Sequence, residues 1–175
     1  MTKLSTHFSL EEMTRSYLAT RLGLENEPNA TQKAALSELA KKVLDPIREE
    51  FGPFSPQSAF RSKVLNNAVG GSQKSQHMNG EAADIEVPFR DNLQVAKFIR
   101  DNLVFDQLIL EFYTPGNPNS GWVHVSYVSP KGKKEDPNRG QVLTAILESP
   151  KRGKKAAEIA YKEGLPTGKR DPAYA

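Results

Sequence analysis

Residues 75–84 read SQHMNGEAAD and place an imidazole and a carboxylate seven residues apart, at His77 and Asp84. The Asn79-Gly80 pair between them is a turn signal. Residues 82–87, which read AADIEV, then predict a short strand. The small residues in the stretch would let the backbone fold closely under a ligand. The pattern therefore predicts a histidine before a turn and an aspartate in the strand that follows it.

A second imidazole, His124, follows Asp84 forty residues later in the sequence WVH. Two imidazoles and one carboxylate suit a divalent ion, and zinc accepts both ligand types while keeping a fourth position for water. The alternative is that His77 is a surface loop residue and Asp84 a solvated strand-end acid. The chain has only three histidines, and two fall in this pattern, which favours a metal site. The third, His7, is more typical of a solvated terminal residue.

Three motifs together carry a resemblance to a known family. The string S-x-H-x-x-G-x-A-x-D at 75–84 is preceded by SAFRS at 58–62 and followed by WVHVS at 122–126. This arrangement resembles the zinc D-Ala-D-Ala carboxypeptidase family, whose members are peptidoglycan peptidases and are often encoded by phages and prophages, as endolysins are. The likeness extends from about Phe8 to Tyr127, which is most of the chain.

The resemblance implies an α+β fold shared with the Hedgehog signalling domain, in which helices pack on one side of a small antiparallel sheet. It implies zinc, Zn²⁺, bound by His77, Asp84 and His124. It also implies that Arg61, in the SAFRS motif, meets the substrate. The alternative for Arg61 is a structural salt bridge. A guanidinium would suit the substrate role because its planar fork fits a carboxylate bidentately.

Composition bounds the remaining possibilities. The chain has 175 residues, of which 37% are hydrophobic and 26% charged, so it is long enough for one domain with a core. It has no cysteine, which excludes disulfides and thiolate ligands.

We expect residues 1–150 to form a single zinc peptidase domain. We expect residues 151–175 to form a basic, flexible tail, helical at most over 151–163, whose removal spares folding and zinc binding.

Charge and hydropathy bear on partners and location. The net charge of +3 and the pI of about 9.0 favour anionic partners such as cell-wall polymers or nucleic acid. The basic residues are interleaved with acids and lack aromatic partners, so we expect no specific nucleic-acid binding. No apolar run is long enough to span a membrane, and residues 1–7 lack the apolar core of a secretory signal. We expect a monomer that stays in the cytoplasm until lysis or is carried in a virion.

A hairpin is predicted from two strands, 105–113 and 122–128, that flank the turn-rich segment 114–121. If Tyr113 faces Trp122, then Glu111 stands opposite His124. Alternation then separates two faces. The predicted core face carries Leu108, Leu110, Phe112, Val123, Val125 and Tyr127. The opposite face, on which we expect the functional site, carries Gln107, Ile109, Glu111, Trp122, His124 and Ser126. A slip of one residue would bury Glu111 among apolar side chains.

Glu111 is the candidate general base, and its alternative is a solvated edge carboxylate. Related metallopeptidases often carry an acid three residues before the last histidine ligand, or a histidine five residues before it. Those positions are Gly121 and Asn119 here, so the chain departs from the family pattern. Ser75 is a candidate for orienting the metal loop or binding substrate, and Trp122 for forming a wall of the cleft.

These features favour a zinc peptidase that cleaves peptidoglycan stem peptides in cell-wall lysis. The bond could be that of a D-Ala-D-Ala carboxypeptidase or of an L-Ala-D-Glu endopeptidase, because both need similar metal chemistry. The alternative is a non-catalytic zinc domain of the same fold that serves recognition or virion assembly. The departure from the family pattern at the general base is the feature that supports this alternative.

Overall fold

The computed structural model describes residues 2–130, 132, 135–149 and 157–167. Within these residues the chain forms six α-helices, one short 3₁₀ helix and five strands. The helices are α1 (Leu10–Thr14), α2 (Tyr17–Leu22), α3 (Ala30–Leu39), α4 (Asp45–Phe51), α5 (Lys63–Ala68), the 3₁₀ helix Gln76–Asn79, and α6 (Asn92–Asn102). The strands are β1 (Ala82–Ile85), β2 (Gln107–Glu111), β3 (Trp122–Ser126), β4 (Gln141–Glu148) and β5 (Glu158–Glu163).

The five strands form one sheet in the order β1-β3-β2-β4-β5. The predicted α+β class is confirmed, but the sheet is mixed because β4 runs parallel to β2. The other three pairings are antiparallel. Parallel neighbours need a long connection, and here β3 and the segment that follows it provide one. The sequence of a single strand does not indicate the direction of its neighbour, which is why the parallel pair was not predicted.

The core lies between the sheet and the long helical segment formed by α3 and α4. Leu36, Leu39, Leu44 and Ile47 are fully buried and face the apolar side chains of β2 and β3 within one cluster. A π-helical turn, Ala40–Leu44, joins α3 to α4 just before Pro46. A proline lacks the N–H that the preceding turn would use, and the wider turn accommodates this gap without ending the helical segment.

The β2–β3 hairpin has the predicted faces but a register shifted by two residues. Glu111 pairs with Trp122, and Ile109, not Glu111, pairs with His124. A shift of two preserves the alternation, so Leu108 and Leu110 remain buried on the core side. The predicted core position of Phe112 is wrong. Its φ of 54° takes it out of the strand, and its half-buried ring lies 5.3 Å from that of Trp122.

The C-terminal part of the chain also differs from expectation. A helix over 151–163 was considered, but its described part contains β5, which pairs antiparallel with β4 along Glu158–Glu163. Leu165 packs against the main core, and Thr144 Oγ1 donates a hydrogen bond of 2.7 Å to the carbonyl of Gly164. Residues 157–167 are therefore attached to the sheet and are not a free tail. Residues 151–156 and 168–175 of the predicted tail lie outside the described residues.

Candidate metal centre and active site

The 3₁₀ helix Gln76–Asn79 carries His77 and is held against α3 by a close backbone approach. Gly80 ends this helix with φ of 74°, and a Cβ at Gly80 would lie 2.6 Å from the carbonyl oxygen of Gln32. The side-chain amide of Gln32 donates a hydrogen bond of 2.8 Å to the carbonyl of Met78. Only glycine combines this conformation with this proximity. The Asn79-Gly80 turn therefore fixes His77, which is 3% exposed, over the start of β1.

Asp84 and His124 are brought together by strand pairing. They face each other directly in the antiparallel β1–β3 ladder. On its other edge, Asp84 makes backbone hydrogen bonds with Ser58, of 2.7 and 3.5 Å. Partners on both edges determine which way the Asp84 carboxylate points, and it points towards both imidazoles.

The three predicted ligands form one compact cluster. Asp84 Oδ1 lies 2.9 Å from His124 Nδ1 and 3.2 Å from His77 Nε2. One potential ligand atom of each residue lies within 4.8 Å of those of the other two. Among the described residues, this cluster of His and Asp side chains is the one that could hold a metal ion. The side chains of Asp84 and His124 are each only 12% exposed. Two imidazole nitrogens and a carboxylate oxygen are a donor set that zinc accepts.

The hydrogen bonding of His77 fits a metal ligand. Its Nδ1 lies 2.7 Å from the carbonyl of Ala59, which can only accept, so Nδ1 carries the proton and Nε2 presents its lone pair to the cluster. Metal-binding histidines are commonly oriented in this way by a backbone carbonyl. Burial lowers the pKa of His77, in spite of the opposing effect of Asp84. The imidazole is therefore neutral, as a ligand must be.

Asp84 is ionised for a related reason. Burial by itself would raise the pKa of this carboxyl, but the hydrogen bond with His124, together with the neighbouring His77 ring, outweighs it and holds the pKa well below its usual range. Arg61 also contacts Asp84 Oδ2 through its Nη2. A buried carboxylate with three such neighbours keeps its negative charge, which a cation would need.

Arg61 makes the structural salt bridge that is its alternative role from sequence. Its Nη2 contacts Asp84 Oδ2 and lies 3.3 Å from His77 Nε2, while its Nε donates a hydrogen bond of 2.7 Å to Ser58 Oγ. The salt bridge with Asp84 is therefore present. The same side chain also lines the cleft that the cluster opens into.

The cleft, of about 430 Å³, contains all the predicted site residues: Arg61, Ser75, His77, Asp84, Glu111, Trp122 and His124. Its volume is in the range of small-ligand sites. Glu111 lies on the cleft face of β2 and is half-buried. Burial raises the pKa of the Glu111 carboxyl, as does the charge of Asp84, while His124 and Arg61 act in the opposite direction. A carboxylate with a raised pKa is better suited to accepting a proton.

Two groups of cleft residues were not predicted as site residues. Gln76 lines the cleft and donates a hydrogen bond of 2.9 Å to Asp106 Oδ2. Arg139 binds both oxygens of Asp106, at 2.8 and 2.7 Å, and these bonds lower the pKa of that carboxyl.

The second group, Ile159 and Tyr161, comes from β5. No local signal points to it, because it reaches the cleft only through the pairing of β5 with β4.

Comparison with known families agrees with this geometry. A family model described as peptidase M15 matches residues 6–126, which is more than half of the chain. The chain belongs to the peptidase M15 family. The matched residues of this M15 member include His77, Asp84 and His124 and end at the last residue of β3. A peptidase family and a cluster that could hold a metal ion together indicate a metallopeptidase.

Two further observations complete the comparison. A search of curated proteins gives no match to this M15 family member. Among the residues that the structure describes, no helix has the length and apolar character needed to cross a membrane.

Proposed function

We propose that this protein is a zinc-dependent peptidase that cleaves peptidoglycan stem peptides. The observation that carries the proposal is the shared cleft. His77, Asp84 and His124, which could hold the ion, open into the same space as Glu111 and Arg61. Membership of a peptidase family supports hydrolysis of a peptide bond as the reaction.

Zinc held by His77, Asp84 and His124 would supply a Lewis acid for the scissile carbonyl and lower the pKa of a water molecule towards ~7. Glu111 accepts the proton of the attacking water and transfers it to the leaving amine. The raised pKa of Glu111 favours this transfer, because the carboxyl can hold the proton between the two steps. The β2–β3 pairing brings Glu111 and His124 onto the same face of adjacent strands, although they lie apart in the sequence.

Arg61 stabilises negative charge in the cleft. Its guanidinium has five N–H donors, and the contacts with Asp84 and Ser58 engage its Nη2 and Nε. The Nη1 group is the part of the fork that would bind the substrate's carboxylate or the oxyanion formed on attack. Ser75 and Trp122, which also line the cleft, bind the peptide.

Two bonds in a stem peptide fit this chemistry. D-Ala-D-Ala carboxypeptidase activity would place the terminal carboxylate against Arg61. L-Ala-D-Glu endopeptidase activity would place the D-Glu carboxylate there instead. In either case the protein acts on the cell wall during lysis, either released from the cytoplasm or carried by a virion.

Mass spectrometry of peptidoglycan digested with the purified, zinc-loaded protein tests this function directly. We expect the loss of a terminal alanine or a cut between L-Ala and D-Glu, each of which gives a distinct mass change. Glu111→Gln serves as the matched control, since it retains the proposed ligands. Intact stem peptides after prolonged digestion with a zinc-loaded sample would indicate instead the non-catalytic zinc domain considered from sequence.

A further inference from the structure

β5 contributes two side chains to the cleft from outside the part of the chain that the family model matches. The match ends at residue 126, whereas Ile159 and Tyr161 line the same space as His77, Asp84 and His124. Both are large apolar or aromatic side chains and are 51% and 56% exposed. Large exposed side chains beside a candidate metal centre are positioned to contact a ligand.

The strand register explains how Tyr161 reaches the site. Trp122, Glu111, Ala145 and Tyr161 form one row across β3, β2, β4 and β5. They therefore point to the same face of the sheet, and the Cα atoms of Glu111 and Tyr161 are about 10 Å apart, or two strand spacings. Ala145 lies between them and is fully buried.

Electrostatics agrees with this placement. Burial raises the pKa of the Tyr161 hydroxyl, and the negative charge of Glu111 raises it further. The phenol therefore lies within the electrostatic range of the candidate general base. The other face of β5 has a different environment, because Lys162 makes an ion pair of 2.8 Å with Glu148 on that side.

The two ends of the sheet give the cleft two different walls. The segment carrying Lys74, Ser75 and Gln76 leads into the 3₁₀ helix beside β1, at one end, and it is polar. β5 is the strand at the other end and adds Ile159 and Tyr161. A peptide between these walls would turn its polar backbone and carboxylate towards the first wall and an apolar side chain towards the second.

We propose that β5 forms the apolar wall of the substrate cleft and that Ile159 and Tyr161 bind the small apolar side chain of an anionic peptide beside the scissile bond. This inference rests on the proposed function and makes it more specific. Alanine, whose methyl group is small and apolar, is the side chain that the wall accommodates. The ring of Tyr161, rather than its hydroxyl, provides the contact.

Replacing Tyr161 separately from its neighbour on the opposite face tests the proposal. Tyr161→Thr removes the ring but keeps a residue that favours strands, Tyr161→Phe keeps the ring, and Lys162→Ala alters the other face of β5. The substrate is a synthetic stem peptide that contains both an L-Ala-D-Glu bond and a D-Ala-D-Ala terminus. Melting temperature and zinc content, measured for every variant, show whether the fold and the metal site persist.

We expect Tyr161→Thr to raise KM about tenfold with kcat changed less than about threefold, because the ring binds substrate and moves no proton. Lys162→Ala should stay within about threefold of the wild type in both constants. Tyr161→Phe, which keeps the ring, should recover most of the binding that Tyr161→Thr loses. Unchanged KM in Tyr161→Thr, or an equal loss in Lys162→Ala, would overturn the proposal while leaving the peptidase function in place. If Tyr161→Thr fails to fold, Ile159→Val, which shortens the same wall by one methylene, should raise KM about twofold to fourfold.

A binding measurement separates this inference from the proposed function. Trp122 is the only tryptophan in the chain and lines the cleft, so its fluorescence reports peptide binding there. The titration uses Glu111→Gln with and without Tyr161→Thr. A wild type that cleaves nothing, combined with binding weakened about tenfold by Tyr161→Thr, would refute catalysis and support the wall. Binding that Tyr161→Thr leaves unchanged, or no binding at all, would refute the wall.

Discussion

Gly121 lies against the backbone of Glu111 so closely that a Cβ on Gly121 would be 1.9 Å from the carbonyl oxygen of Glu111. The φ of Gly121 is 65°, a conformation that other residues adopt only with strain. The contact lies at the closed end of the β2–β3 hairpin, where Glu111 pairs with Trp122. The position three residues before His124 is thus occupied by a glycine, and the observed register leaves no room there for a side chain.

Gly121→Ala should therefore destabilise the protein by about 2–5 kcal/mol, through the clash with Glu111 and the strained φ together. Gly116→Ala is the matched control, because Gly116 lies in the same hairpin loop with φ of 89°, and a Cβ added there would have no atom within 4 Å. We expect it to cost only about 1 kcal/mol. Urea denaturation of both variants measures the difference, and equal losses would show that the close approach to Glu111 is unimportant.

His77→Ala should remove zinc binding, with a loss of affinity of more than about 100-fold, since even partners of a ligand contribute 10–100-fold. His7→Ala controls for loss of a histidine in general. His7 belongs to no cluster with the proposed ligands and lies 3.5 Å from Glu49 on the surface. Zinc content after dialysis against a weak chelator gives the comparison. Stoichiometric zinc in His77→Ala would contradict the proposed ligand set.

Glu111→Gln should retain zinc and the fold, because the side chain keeps its shape and is not a proposed ligand. Turnover should fall on the order of 10²–10⁴-fold, the usual contribution of a positioned acid or base. Steady-state kinetics on stem peptides gives the value. Near-wild-type turnover would leave the hairpin register intact but would remove Glu111 from the mechanism.

The activity should also have an acidic limb set by Glu111. A general base must be ionised, and the pKa of Glu111 is raised above the ordinary glutamate value of 4.5. Activity should therefore increase with pH as Glu111 ionises, and this limb should be absent from the residual activity of Glu111→Gln. Zinc content measured at each pH distinguishes this titration from loss of the metal. The same limb in Glu111→Gln, with zinc retained, would contradict it.

Arg61 can be tested for a role beyond its salt bridge with Asp84. If it only supports Asp84, Arg61→Ala weakens zinc binding and excess zinc restores activity. If it also binds substrate, kcat/KM stays about 10²–10³-fold low at saturating zinc, and we expect this second result. Arg61→Lys keeps the charge but loses the fork, so it should recover only part of the activity.

Truncation tests the attachment of the C-terminal segment. Sequence alone led us to expect that removal of residues 151–175 would spare the fold. Chains ending at residue 156 and at residue 167 differ by β5 and Leu165, which packs on the core. We expect the shorter chain to melt about 2–8 °C lower, since loss of the partly buried Leu165 costs about 1–2 kcal/mol. Equal melting temperatures would show that the pairing of β5 adds no stability.

Much of the site could be predicted from sequence because its signals are local. The Asn79-Gly80 turn and the strand after it determine how His77 and Asp84 are presented, since glycine permits the φ of 74° that the turn requires. Alternation along β2 and β3 separates the buried Leu108 and Leu110 from the cleft-facing Glu111 and His124. Both patterns depend on residues within a few positions of each other, so the sequence alone determines them.

Tertiary structure decided what depends on partners distant in the chain. The hairpin register places Gly121 against Glu111, and pairing with β4 makes 158–163 a strand. The parallel neighbour of β2 and the place of Tyr161 in the cleft follow from that same pairing. Hydrogen bonds between strands use backbone groups that nearly every residue carries, so the order of side chains does not specify which strand pairs with which. Packing of the whole sheet determines which strands pair.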